Sequence, residues 1–137
     1  MDKELQEKIV LYQILQKHLE ELRENIINLQ RRLIELDSTI ESLKDVSKLK
    51  ENNEILVPIG SGCYLHGKIM DFKKVVTNLG AGVMTHKKIE DAIKLVEDNK
   101  KEVERLIGNL QNEMEDVASK IDIIASEIDK ISRSKQE

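Results

Sequence analysis

The 137-residue sequence has no tryptophan, one phenylalanine and two tyrosines, while 35% of its residues are charged. A compact globule of this length builds its centre on more aromatic side chains. The composition therefore argues against a sphere with one core and for long helices packed along a stripe. The single cysteine, Cys63, excludes an internal disulfide and fits a reducing compartment. The single proline, Pro58, and the first glycine, Gly60, both lie near the middle, so neither breaks a helix before that point. No apolar run approaches the roughly 18 residues that would span a membrane. Nor is there a basic excess: 22 Lys and Arg face 26 Asp and Glu, for a net charge of −4. A protein that grips nucleic acid through its phosphates needs a basic surface, so that class of partner is not expected. The opening MDKELQEKIV is charged and amphipathic, unlike a secretory leader. The expectation is a soluble, cytoplasmic chain with neither a membrane nor a nucleic acid as partner.

What the sequence does have is periodicity. Leu15, Leu19, Leu22, Ile26, Leu29, Leu33, Leu36, Ile40 and Leu43 alternate spacings of four and three, a sustained heptad. Leu19, Ile26, Leu33 and Ile40 take position a; Leu15, Leu22, Leu29, Leu36 and Leu43 take position d. The predicted helix runs from residue 2 to about 50, roughly 70 Å at the usual rise, and Glu51-Asn52-Asn53 ends it. Towards the N-terminus the register places Leu5 and Tyr12 at a but Lys8 at d. Val10, Leu11 and Ile14 fall at f, g and c, largely outside the seam. Two readings stand: scattered surface apolar residues, or an apolar contact patch near the end of the arm.

A second heptad spans residues 86–133. Position d holds Ile89, Val96, Val103, Leu110, Val117, Ile124 and Ile131; position a holds Ile93, Lys100, Ile107, Met114, Ile121 and Ile128. Thr85 is placed to cap this helix. Arms of nearly equal length imply an antiparallel coiled coil with both termini at one end. That pairing brings Lys100, the one charged a residue, near Asp37. Either the two form a register-fixing pair or Lys100 reaches out to solvent. Ile123, at c, extends the patch begun by Val10, Leu11 and Ile14.

Between the arms the pattern changes. Residues 54–87 hold Pro58, five of the six glycines, and Tyr64 and Phe72 from the three aromatics. Four short strands are predicted at about 55–60, 63–70, 74–79 and 82–86. Ser61-Gly62 and Gly80-Ala81-Gly82 make the turns, and Asp71-Phe72-Lys73 joins the two hairpins. A lone hairpin is marginal in water, so this segment is expected to complete its sheet with another subunit. Three segments result: residues 1–53 and 87–137 as coiled-coil helices, and 54–86 as an oligomerisation module.

Catalytic chemistry is weakly represented. Gly60-Ser61-Gly62 and Gly80-Ala81-Gly82 stop short of GxGxxG, since Leu65 and Thr85 stand where the third glycine belongs, and there is no Walker motif. Hairpin turns explain both. Cys63, His66 and His86 lack metal-ligand spacing. Cys63 reads instead as a small apolar residue alternating inward with Leu65 and Ile69, and His18 as a solvated neighbour of Leu19. No enzyme, metal or cofactor is expected.

The order helix, two hairpins, helix resembles the α class of prefoldin subunits; the β class has one hairpin. The most specific likeness lies in EILVPIGSGCYLHGKI followed by KVVTNLGAGVMTHK. The resemblance implies a mainly α fold: a long antiparallel two-helix coiled coil whose central hairpins assemble into an intersubunit β-barrel. It implies an ATP-independent co-chaperone that holds non-native proteins at its coiled-coil tips and passes them to a group II chaperonin. Leu5, Ile9, Val10, Leu11, Ile14, Ile123, Ile124, Ile128 and Ile131 would then contact clients. Ile55, Val57, Ile59, Tyr64, Leu65, Ile69, Val75, Val76, Leu79 and Val83 would assemble the hairpins. The implied partners are β-class subunits in a hetero-hexamer, or copies of itself. Cys63 to Gly67 and Thr77 to Leu79 depart from the usual α-class pattern, and some relatives form filaments instead. A tether for one folded partner is the competing class.

Overall fold

A computed structural model describes residues 2–71 and 73–136, the last of these in its backbone only. Phe72, expected in the connection between hairpins, lies outside the described residues. The element order is α1 (Lys3–Val46), β1 (Glu54–Gly60), β2 (Cys63–Lys68), β3 (Lys74–Gly80), β4 (Val83–Lys88) and α2 (Ile89–Gln136). The chain divides into two compact units, Met1–Leu33 with Glu102–Glu137, and Ile34–Lys101.

The first unit is built from α1 and α2 alone, running antiparallel. Partners across the pair rise in number on one helix as they fall on the other: Asp2 with Lys135 at 2.8 Å, Lys8 with Glu127 at 2.6 Å, and His18 with Glu113 at 3.1 Å. Its buried side chains, Leu22, Ile26, Ile107 and Val117, all occupy a or d. Burial of such a side chain contributes roughly 1.5–3 kcal/mol, against about 0.2–1 kcal/mol for an exposed ion pair. The apolar seam therefore holds the helices together, and the pairs select their alignment. His18 is not simply solvated as expected, because Glu113 faces it.

The second unit contains the hairpins and the adjoining parts of both helices. Leu36, Ile40, Ile89 and Ala92 form its buried centre, and Ile89 is the most enclosed large side chain. Lys100 Nζ reaches Asp37 Oδ1 at 2.7 Å, which settles its two readings in favour of a pair. α1 stops at Val46, short of residue 50. The Ser47 hydroxyl donates to the Lys44 carbonyl, offering the backbone a local alternative to another helical turn. Asn52 then adopts φ 65°, a left-handed conformation that Asn tolerates. The Asn52 amide donates to the Ile69 carbonyl, and the Ile69 amide to that of Asn53, both at 3.0 Å.

Each hairpin is an antiparallel two-stranded sheet. Glu54 faces Lys68 and Gly60 faces Cys63 in the first; Lys74 faces Lys88 and Gly80 faces Val83 in the second. Both carry a register shift just before the turn. The turn angles match as well: Ser61 and Ala81 have φ 49° and 50°, and Gly62 and Gly82 both 79°. Two successive positive φ values define the two-residue turn whose twist suits a hairpin. The hairpins are the same motif repeated 20 residues on. β4 runs to Lys88, beyond the expected 86, so Thr85 does not cap α2. It lies opposite Thr77, whose hydroxyl donates to its carbonyl at 3.4 Å. α2 starts at Ile89, whose amide donates to the Lys73 carbonyl at 3.0 Å.

Candidate functional site

Two surfaces carry apolar side chains that the fold leaves open. The first lies at the terminal ends of the helices in the first unit. Leu5, Ile124, Ile128 and Ile131 take seam positions, Ile9 lies beside the seam at e, and all five are half-buried. Val10, Leu11, Ile14 and Ile123 are 42–59% exposed. Heptad geometry explains the split, because f, g and c lie off the contact line between two helices. Leu11 and Leu15 on α1, with Lys120, Ile123 and Ile124 on α2, line a groove of about 300 Å³. Sequence reasoning missed two of these five. Leu15 was assigned wholly to the seam, and Lys120 is one g-position lysine among many surface charges.

Ion pairs close this end of the coil. Lys8, at a d position where an apolar residue is the norm, bonds Glu127, and that bond raises the pKa of its ammonium above the ordinary lysine value. Asp2 accepts from the Glu4 amide at 3.3 Å, capping α1, and binds Lys135; the bond to Lys135 is the larger cause of its lowered pKa.

The second surface is the pair of hairpins. Of the residues expected there, Ile55, Ile69 and Val75 are half-buried. Val57, Ile59, Tyr64, Leu65, Val76, Leu79 and Val83 are exposed, as are Leu56 and Met84, which the sequence reading left out. Register places Leu65, Cys63 and Gly67 on one face with Ile55 and Val57. Gly67 matters here, since a Cβ at that position would meet Ile55 Cγ1 at 3.3 Å. Cys63, expected to point inward, is exposed. On the same face Val57 and Leu65 are exposed too.

Among the described residues no three His, Cys, Asp or Glu side chains come together as metal ligands, and no helix is long and apolar enough to cross a membrane. Two open apolar surfaces on a coiled-coil and hairpin frame are features of binding and assembly.

The family model described as "Prefoldin subunit" matches residues 15–134. The chain belongs to the prefoldin family. Prefoldin subunit alpha of Thermofilum pendens is 31% identical over 117 residues, which is 85% of this chain and 91% of that protein. Prefoldin subunit alpha of Pyrococcus horikoshii is 29% identical, covering 96% and 90% respectively. Among solved structures, the filamentous prefoldin of Methanocaldococcus jannaschii superposes with a TM-score of 0.74 at 26% identity. The match covers 89% of this chain and 98% of that one. The resemblance carried by residues 54–87 thus extends along the whole fold, and these relatives are named as α subunits, the class that the resemblance implied. As a prefoldin the chain is a co-chaperone subunit, and the barrel to which its hairpins contribute is formed between subunits. Prefoldin subunits join other prefoldin subunits or copies of themselves, and the open faces of these hairpins suit such a joint.

Proposed function

We propose that this chain holds non-native proteins at the terminal ends of its helices, without ATP and in the cytoplasm, and passes them to a group II chaperonin. The observation that carries this is the exposure of Val10, Leu11, Ile14 and Ile123 around one groove. Each offers a partner about half of an aliphatic side chain, roughly 1 kcal/mol if covered. Contacts so small release readily. Several arms in one assembly supply the grip through effective concentration. The helices contribute client contacts and the hairpins contribute assembly, with no catalytic step. The test is light scattering of a chemically denatured client diluted into the assembled protein without nucleotide. Suppressed aggregation is expected; aggregation at the rate of the client alone would refute the proposal.

A second reading is favoured by the filamentous structural neighbour: the hairpins pair with copies of themselves rather than with β-class subunits. Sedimentation velocity of the purified chain over a range of concentrations separates the two. A monomer or dimer supports completion by another subunit in a hetero-hexamer, and a broad series of large species supports self-assembly.

A further inference from the structure

We infer that the groove beside Lys120 takes a short amphipathic helix of a non-native chain bearing a carboxylate about one turn from its apolar residues. The inference rests on the co-chaperone reading above and adds a chemical preference to it. The groove floor and walls are Leu11, Leu15, Ile123 and Ile124, and its one charged lining residue is Lys120. The acidic residue one turn before it, Asp116, forms no ion pair with it among the described residues, and Glu113 and Glu127, two turns away on either side, face His18 and bind Lys8. Lys120 itself has no ion-pair partner among the described residues. An incoming apolar segment displaces water from around its ammonium, so a carboxylate on that segment is favoured there and a second cation is not.

The shape of the site points to a helix. Leu11 and Leu15 are spaced four apart on α1, and Lys120 is three and four residues from Ile123 and Ile124 on α2. Such rows form the ridges and grooves into which a third helix packs. A groove of about 300 Å³ lies at the lower end for ligand pockets, so it seats a few side chains of that helix. The C-terminal arm as a whole is acidic, with nine Lys and Arg against thirteen Asp and Glu over residues 88–137, and its long-range field favours basic segments. That field fades beyond about 8 Å in physiological salt, whereas a pair with Lys120 forms at hydrogen-bond distance. Once the segment is seated, the local contact decides.

The experiment uses fluorescence anisotropy of the full-length protein with three synthetic amphipathic helices of about 18 residues, long enough for several turns. They share one leucine face and differ only in carrying Glu, Gln or Lys one turn away. The Glu probe is expected to bind roughly fivefold more tightly than the Lys probe, with this preference erased in about 1 M salt. Lys120→Glu should reverse the order of Glu and Lys. Ile123→Ser should weaken all three by about five- to tenfold. Equal binding of the three probes, or the same order in Lys120→Glu, overturns the carboxylate preference. Unchanged binding in Ile123→Ser places the site elsewhere and overturns the assignment. Aggregation of a denatured client, followed in parallel, tests the co-chaperone reading independently. Protection by wild-type protein without probe discrimination sinks this inference alone, and no protection sinks the reading beneath it.

Discussion

Replacing Lys100 with leucine is expected to stabilise the coil while loosening its alignment. Lys100 is the one charged residue at the a positions of the heptad over residues 86–133, and its ammonium lies 2.7 Å from Asp37, with the two side chains 34% and 52% exposed. A pair so open to solvent contributes about 0.2–1 kcal/mol. A leucine buried to the same two-thirds would contribute roughly 1–2 kcal/mol. Asp37, half-exposed, rehydrates when its partner is lost, so little penalty remains. The net gain is about 0.5–1.5 kcal/mol, an upward shift of roughly 2–6 °C in Tm. Circular dichroism melts at one fixed protein concentration measure this, because assembly makes Tm depend on concentration. A polar a residue also disfavours misaligned pairings, so sedimentation should show a broader mass distribution for Lys100→Leu. A lowered melting point for Lys100→Leu would refute this balance. So would a cost much above about 1 kcal/mol for Asp37→Ala alone, since the pair would then outweigh the seam.

Ile89→Ala, at the most enclosed large side chain, should cost about 2–5 kcal/mol in a denaturant titration; a change below 1 kcal/mol would mean that the second unit does not pack around it. Ala81→Gly should stabilise the second hairpin by about 1 kcal/mol, since alanine there holds φ 50°; an unchanged melting point would show that the turn carries no strain. The terminal turns should loosen at both pH extremes. Asp2, its pKa lowered by Lys135, contributes fully above its unfolded value of about 3.9, and that contribution is lost as pH falls through the lowered pKa. Lys8, its pKa raised by Glu127, contributes fully below about 10.4 and loses that contribution as pH rises through the raised pKa. Cα chemical shifts of residues 3–9 should move towards coil values at each end; terminal turns indifferent to both extremes would contradict the ion-pair closure.

The heptads made the helices and their pairing legible. Every buried residue except Ala92 occupies an a or d position named from spacing alone, and Lys100 meets the Asp37 that antiparallel pairing demanded. The hairpins were legible because glycine clusters mark turns of positive φ. Boundaries were not. Thr85 looks like a cap in one dimension, but pairing with Thr77 holds it within β4. Ser47 ends α1 through a hydroxyl bond that no periodicity reveals. The tip surface was half legible: Val10, Leu11, Ile14 and Ile123 stand out as apolar residues off the seam. The part played by Leu15 and Lys120 needed the third dimension, because a groove is made by two helices and neither sequence stripe shows it.

The central claim is that the helix ends hold clients while the hairpins assemble. It is tested most directly by changing Val10, Leu11, Ile14 and Ile123 to serine together and following aggregation of a denatured client. These residues lie off the seam and belong to a different compact unit from the hairpins, so sedimentation should give the wild-type mass and circular dichroism the wild-type helicity. Loss of protection at unchanged mass is the predicted result. Full protection by the fourfold variant, at that same mass, would contradict the account.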